Sequence, residues 1–199
     1  AIVFYLKKQA EIFEDSLRPG IVHRLDKDTS GIILIAKDKA TQLKLSALFH
    51  DRKISKCYYA LAWGNFNEEK GHIDLPVGRS KTDRKKMSVS PTAGREAVTD
   101  FKVIERFDKC TLLEVYPKTG RTHQIRVHLS YINHPVIGDA LYGNRESDSL
   151  AKVIGLKRQF LHAKAISFNH PFTGEKIELK DRLPGDLNKS LGILRKNKI

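Results

Sequence analysis

A chain of 199 residues, 40% of them hydrophobic, can bury one sizeable core, so a single domain is the expectation. Lysine and arginine number 36 against 23 aspartate and glutamate; the net charge of +13 points to a polyanionic partner, most simply nucleic acid, with solubility charge as the alternative. The two cysteines, Cys57 and Cys110, lie in apolar segments and exclude a disulfide framework, while no run approaches the ~20 apolar residues of a membrane-spanning helix.

Taken in chain order, Ala1 to Asp15 carries Leu6, Ala10 and Phe13 at helical spacing, which predicts an amphipathic helix closed by Pro19-Gly20. The first six residues are apolar but lack a basic leader and a cleavage site, so a cytoplasmic location is expected. A dense polar turn follows, with His23, Arg24, Asp26, Lys27 and Asp28. Thr29-Ser30-Gly31 is turn chemistry, and Ile32 to Ala36 reads as a strand buried on both faces, or else as a buried helix segment. A carboxylate beside buried chain costs free energy unless it is paired or used. Asp26 is therefore a candidate nucleophile, base or ion-pair partner; the plainer alternative is an Asx turn covered by Arg24.

Asp38 is a plausible N-cap for a helix that runs to Asp51, with Ala40, Leu43, Ala47 and Leu48 on one face. Ile54 to Trp63 alternates as a strand, placing Tyr58, Ala60 and Ala62 opposite Cys57, Tyr59, Leu61 and Trp63. Gly71 to Val77 is a short strand, and Gly78 to Gly94 reads as a long basic loop that includes Arg79, Lys81, Arg84, Lys85 and Lys86. Val98–Phe107 and Cys110–Pro117 form a hairpin around Asp108-Lys109. Thr122 is a good N-cap, and Ile125, Leu129 and Ile132 make one helical stripe. Pro135 to Gly143 reads as a loop, Phe160–Phe168 and Lys176–Leu179 as late strands. Pro184 opens a last helix with Leu187, Leu191 and Leu194. Strands outnumber helices and mostly follow one another directly, which gives an α+β fold with a mainly antiparallel sheet.

Five blocks, in order, carry a resemblance. They are His23-Arg24-Leu25-Asp26-x-x-Thr29-Ser30-Gly31; Lys56-Cys57-Tyr58-Tyr59-Ala60; Arg121-Thr122-His123-Gln124-Ile125-Arg126-Val127-His128-Leu129; His134-Pro135 with Gly138-Asp139-x-Leu141-Tyr142-Gly143; and Phe160-Leu161-His162-Ala163 with Phe168-x-His170-Pro171. Together they span about Leu17 to Leu179 and resemble the RluA-type pseudouridine synthases, most closely the members that act on large-subunit ribosomal RNA. The resemblance implies a uridine-isomerising enzyme without metal or cofactor, acting on ribosomal RNA or alternatively transfer RNA, and expected to be monomeric. It implies Asp26 as the catalytic carboxylate, Arg121 as the guanidinium that holds it, and Tyr58 as the active-site tyrosine. Leu161 would wall the target base, Arg24 would fill the space an everted base leaves, and Lys85 and Lys86 would grip phosphates. Residues 1–199 are expected to be one catalytic domain lacking the family's usual N-terminal start and any upstream RNA-binding domain.

Two rival readings remain open on the residues alone. One is a non-catalytic RNA-binding module of the same fold. The other is a metal-dependent nuclease built on Asp26 and Asp28, although two carboxylates without further oxygen ligands are a weak metal signal. The histidines carry no zinc pattern: His123 and His128 are five apart, so they do not share a helical face, and His162 and His170 have no nearby cysteine.

Overall fold

A computed structural model describes residues 19–197; the helix expected at Ala1–Asp15 lies outside the described residues. The elements are β1 (Ser30–Gly31), α1 (Lys39–His50), β2 (Ser55–Trp63), β3 (Lys70–Asp74), β4 (Val77–Arg79), β5 (Met87–Val89), β6 (Val98–Arg106), β7 (Cys110–Pro117), α2 (Gln124–Tyr131), α3 (Arg145–Val153), β8 (Leu161–Asn169), β9 (Lys176–Lys180) and α4 (Gly185–Asn197). Seven strands make one sheet in the order β1-β8-β2-β7-β6-β3, with β9 also on β8. Every pair in it is antiparallel except β1 with β8, so the fold is α+β as expected. Among the described residues, no helix is long and apolar enough to cross a membrane.

The alternation in β2 decides how the layers stack. Tyr58, Ala60 and Ala62 face a core that holds Phe101, Leu113 and Val115 of the sheet and Ile125 and Leu129 of α2. Tyr59, Leu61 and Trp63 face the opposite core, which is closed by Leu150 and Ala151 of α3 and Leu187, Leu191 and Leu194 of α4. Each fully buried leucine contributes about 1.5–3 kcal/mol, so these stripes dock the helices firmly onto both faces of the sheet. The front helix α2 thereby covers the Tyr58 face of the sheet, while α3 and α4 brace the back.

Several elements differ from their sequence expectation, each for a visible reason. Ile32 to Ala36 is not a strand buried on both faces: Ile33 is exposed, and only Ile35 forms a bridge, to Ile21. The segment belongs to a smaller core with Leu45, Ile166 and Phe168. In α1, Asp38 caps as expected, its carboxylate accepting from the Thr41 N–H at 2.8 Å. The buried face, however, is Leu45 with Leu48 and Phe49, and Leu43 points into solvent. The basic loop closes on itself as a β4–β5 hairpin, because Val77, Met87 and Val89 pack against Val127 and Tyr142. The N-cap of α2 is His123 in a left-handed conformation (φ 57°) instead of Thr122. Helix α3 had no sequence expectation; an Asn144–Ser147 capping box starts it.

Two glycines hold the N-terminal segment against the sheet. Gly31 sits at φ 115° where a Cβ would collide with the Ala163 carbonyl, which is what lets β1 run parallel beside β8. Gly20, at φ 70°, similarly abuts Ala36, whose N–H donates to the Gly20 carbonyl at 2.9 Å.

Candidate active site

A cleft of about 580 Å³ opens on the α2 side of the sheet. Four stretches of chain meet in it: Val22–Asp26 before β1, Phe49, His50, Arg52 and Ile54 around the end of α1, Lys56 and Tyr58 on β2, and the turn from Pro117 to Gln124. The middle of the sheet supplies its floor, where Tyr58 of β2 and Leu161 of β8, which pairs with Ala60, both line it.

Gln124 shapes the turn. Its side-chain oxygen accepts from the Arg121 N–H (3.0 Å) and the Thr119 hydroxyl (2.7 Å), and its amide donates to the Val98 carbonyl and the Thr99 hydroxyl, both at 2.9 Å. A buried amide with all these bonds made fixes the backbone around Arg121. The loop that carries Asp26 is pinned from below. Gln159 donates to the Lys27 carbonyl at 2.6 Å, Arg158 donates to the Asp28 carbonyl at 2.8 Å, and the Thr29 N–H closes back on the Asp26 carbonyl at 3.1 Å. Asp28 takes the left-handed conformation this tight turn requires (φ 68°).

The guanidinium that meets Asp26 is that of Arg126, not Arg121. Arg126 Nη1 donates to Asp26 Oδ2 at 3.2 Å. Its Nε and Nη2 donate to the two oxygens of Asp139, at 2.6 and 2.7 Å. Asp139 is fully buried and also accepts from the Leu141 and Tyr142 N–H groups, at 2.9 and 3.2 Å. The Tyr142 ring lies 5.0 Å from the Arg126 guanidinium carbon. The Tyr142 hydroxyl accepts from Met87 N–H and meets His123 Nδ1, each at 2.8 Å. Asp139 therefore aims Arg126, and Arg126 in turn aims Asp26. Asp26 Oδ1 takes no hydrogen bond among the described residues.

Arg121 lines the same cleft but turns to its mouth, where its Nε donates to the Glu96 carbonyl at 3.0 Å. Arg52 grips the Glu96 carboxylate with both terminal nitrogens, at 2.7 and 2.6 Å. Tyr58, Leu161 and Arg24 all line the cleft with Asp26. Lys85 and Lys86 do not: they sit at the tip of the β4–β5 hairpin, outside its walls.

The cleft shifts several protonation equilibria. Burial, then the Asp26 charge, pushes the Tyr58 hydroxyl up to about 12, so it stays protonated at neutral pH. Burial brings the Lys56 ammonium down to about 8; it donates to the Thr119 carbonyl at 3.2 Å. Burial, with the Lys56 charge second, lowers His23 to about 4. His23 is thus neutral, accepting the Leu34 N–H on Nε2 at 2.8 Å while stacking on Phe49. Among the described residues, no three His, Cys, Asp or Glu side chains are grouped to hold a metal ion.

Arg126, Asp139, Lys56 and His23 all stood within the quoted sequence blocks without an assigned role. Arg52 and Glu96 stood in none.

Comparison with known proteins follows the same geometry. Residues 5–131 match the family model described as RNA pseudouridylate synthase. An uncharacterized RNA pseudouridine synthase of Bacillus subtilis, YlyB, is 44% identical over 181 residues, which are 91% of this chain and 57% of the relative. Ribosomal large subunit pseudouridine synthase D of Vibrio vulnificus is 41% identical over 204 residues, covering 99% of this chain and 61% of the relative. The chain thus spans about three fifths of the length of these relatives. Among solved structures, Human RNA Pseudouridylate Synthase Domain Containing 4 superposes with a TM-score of 0.74 at 30% identity, covering 88% of this chain and 75% of that one. Human RNA Pseudouridylate Synthase Domain Containing 1 does so at 0.72 and 31%, covering 82% and 69%.

Proposed function

From the premise that the chain belongs to the RNA pseudouridylate synthase family, in its RluA type, we propose that it isomerises uridine to pseudouridine in large-subunit ribosomal RNA. The observation that carries this reading is the Asp139–Arg126–Asp26 chain, which ends in a carboxylate oxygen facing a basic cleft beside Tyr58. The reaction breaks the N1–C1′ bond, turns the uracil and forms a C5–C1′ bond; the C5 proton is lost and N1 gains one. Reactant and product are isomers, so the balance needs no co-reactant.

Asp26 attacks or stabilises the electron-poor C1′ as the N1–C1′ bond breaks, the role a carboxylate plays in glycoside chemistry. Arg126 orients it, and Asp139 keeps Arg126 from rotating away. Tyr58 offers a ring for the detached base to stack on and a protonated hydroxyl for a hydrogen bond; with the hydroxyl held near 12 it is not a phenolate base at neutral pH. Leu161 forms an apolar wall, and the exposed Arg24 at the rim occupies the gap left in the RNA when the base is everted. Lys85 and Lys86, beyond the cleft, hold more distant phosphates. A ribosomal RNA substrate supports a cytoplasmic location, as do two free cysteines.

The test is pseudouridine mapping of ribosomal and transfer RNA after incubation with the wild-type protein and with Asp26→Asn. Wild-type turnover on large-subunit RNA that disappears in Asp26→Asn, with RNA binding retained, is expected. Turnover by the variant would remove Asp26 from the reaction, and RNA retention without turnover by the wild type would leave a binding module.

A further inference from the structure

Glu96 is out of place in an RNA-binding cleft. It stands just outside the cleft walls and bonds two arginines of the lining, Arg52 through its carboxylate and Arg121 through its backbone carbonyl. The three residues come from three separate links: Arg52 from the turn between α1 and β2, Glu96 from the link between β5 and β6, Arg121 from the turn before α2. Arg52 holds the carboxylate by a two-pronged fork, the geometry with which a guanidinium also grips a phosphate. Arg52 does so from a left-handed backbone (φ 59°), uncommon for a residue with a side chain. Arg121 spends only its Nε, on the Glu96 backbone carbonyl; among the described residues its terminal nitrogens bond to nothing.

On the reading that the substrate is RNA, we propose that Arg52 and Arg121 form a clamp for one RNA phosphodiester at the cleft mouth, and that the Glu96 carboxylate occupies the clamp in the free protein until a phosphate displaces it. The exchange is cheap. Arg52 and Glu96 are 46% and 55% exposed, and ion pairs that open to water contribute little. The backbone around Glu96 does not have to move, because Arg95 exchanges two hydrogen bonds with Val77 and the Ala97 carbonyl accepts from Leu75 N–H. Only the Glu96 side chain must swing out. The arrangement keeps two like charges from repelling each other in the free protein and makes it a poorer trap for small anions than its charge suggests.

Glu96→Gln separates this from a positioning role. It removes the charge, keeps the side chain's shape and leaves the backbone carbonyl that Arg121 uses. Binding of a labelled single-stranded oligouridylate is measured by fluorescence anisotropy across a salt series. Glu96→Gln is expected to bind roughly two- to fivefold tighter at low salt. Its log K against log salt is expected to steepen by up to roughly 0.7, because in the wild type the displaced carboxylate takes up a counterion that offsets the one the phosphate releases. Arg52→Gln is expected to bind more weakly than wild type, and adding Glu96→Gln to it should restore nothing. Equal or weaker binding by Glu96→Gln overturns the proposal, since a carboxylate that merely positions the arginines would help binding. Wild-type isomerisation is assayed in parallel. A gain in affinity without turnover sinks the enzymatic reading and spares the clamp; turnover without a gain does the reverse.

Discussion

Two arginine–carboxylate forks border the cleft; they look alike on paper and differ in their surroundings. Behind the floor, next to Asp26, Arg126 and Asp139 are 5% and 0% exposed; toward the mouth, Arg52 of the cleft wall and Glu96 are about half exposed. A buried ion pair gains little net stability over a well-packed apolar pair, but breaking it by removing one partner is severe, since the other charge is stranded. That asymmetry makes the floor fork a rigid aiming device for Asp26. The mouth fork, wetted on both sides, exchanges partners at little cost. The same chemistry thus serves orientation in one place and exchange in the other, and burial decides which.

The largest effect follows from breaking the floor fork. Arg126→Met is expected to cost about 3–5 kcal/mol of stability, read by guanidinium denaturation, and to abolish isomerisation. Replacing both partners, Arg126→Met with Asp139→Asn, whose side-chain oxygen still accepts the Leu141 and Tyr142 N–H groups, should recover part of the stability and none of the activity. Recovery of activity would show that Asp26 needs no guanidinium. At the mouth, Arg52→Gln should leave the denaturation midpoint unchanged.

This contrast also explains what was legible in the sequence. Strand β2 was readable because its alternation is a local property: each residue's face follows from its parity, and both cores agree. The region of the site was readable from motifs, which bring Asp26, Tyr58, Arg24, Leu161 and Arg121 to one cleft. The choice between Arg121 and Arg126 was not. Both stand in one block, and only the position of Asp139, thirteen residues on, says which guanidinium turns inward. A signal existed: a charged residue flanked by Ile125 and Val127, both buried, needs an acid partner, and Gly138-Asp139 supplies one. Ile32 to Ala36 failed for the opposite reason. An apolar run announces burial but not a strand partner, and here most of the run has none. The Glu96 fork joins links far apart in the chain and left no local mark.

A middle-sized effect tests the zone between floor and mouth. His23 holds the Leu34 N–H as a neutral ring with its pKa lowered to about 4. Between roughly pH 6.5 and 4 the unfolded chain takes up a proton that the folded chain refuses. Stability therefore falls as pH falls through that window, by up to about 1.4 kcal/mol per pH unit, and this loss stops growing below pH 4. In His23→Gln, whose side-chain oxygen still accepts the Leu34 N–H, the pH slope of denaturation should be shallower by up to one proton. An unchanged slope would mean His23 titrates normally and is not held by the cleft.

The smallest effect lies outside both forks. Lys85 and Lys86 tip a hairpin whose base is fixed by Val77, Met87 and Val89 against Val127. Within the turn, the Asp83 carboxylate accepts the Lys85 N–H at 2.8 Å, the Asp83 carbonyl accepts the Lys86 N–H at 3.0 Å, and the Lys86 carbonyl accepts the Ser80 N–H at 3.0 Å. Every one of these is a backbone bond at the lysine, so Lys85→Ala with Lys86→Ala keeps the turn and removes only charge. Stability and the isomerisation rate at saturating RNA should then stay unchanged. Affinity should drop at low salt and converge with wild type at high salt, with a salt slope shallower by roughly 1.4 on single-stranded RNA if both lysines meet phosphates. A slope identical to wild type would confine the interface to the cleft, whereas a fall in the saturating rate would mean the hairpin reaches Asp26 through the Met87–Tyr142 hydrogen bond and the Tyr142 ring beneath Arg126. Because Met87 and Tyr142 pack in one small core, that second outcome would extend the buried fork's hold on Asp26 out to the hairpin.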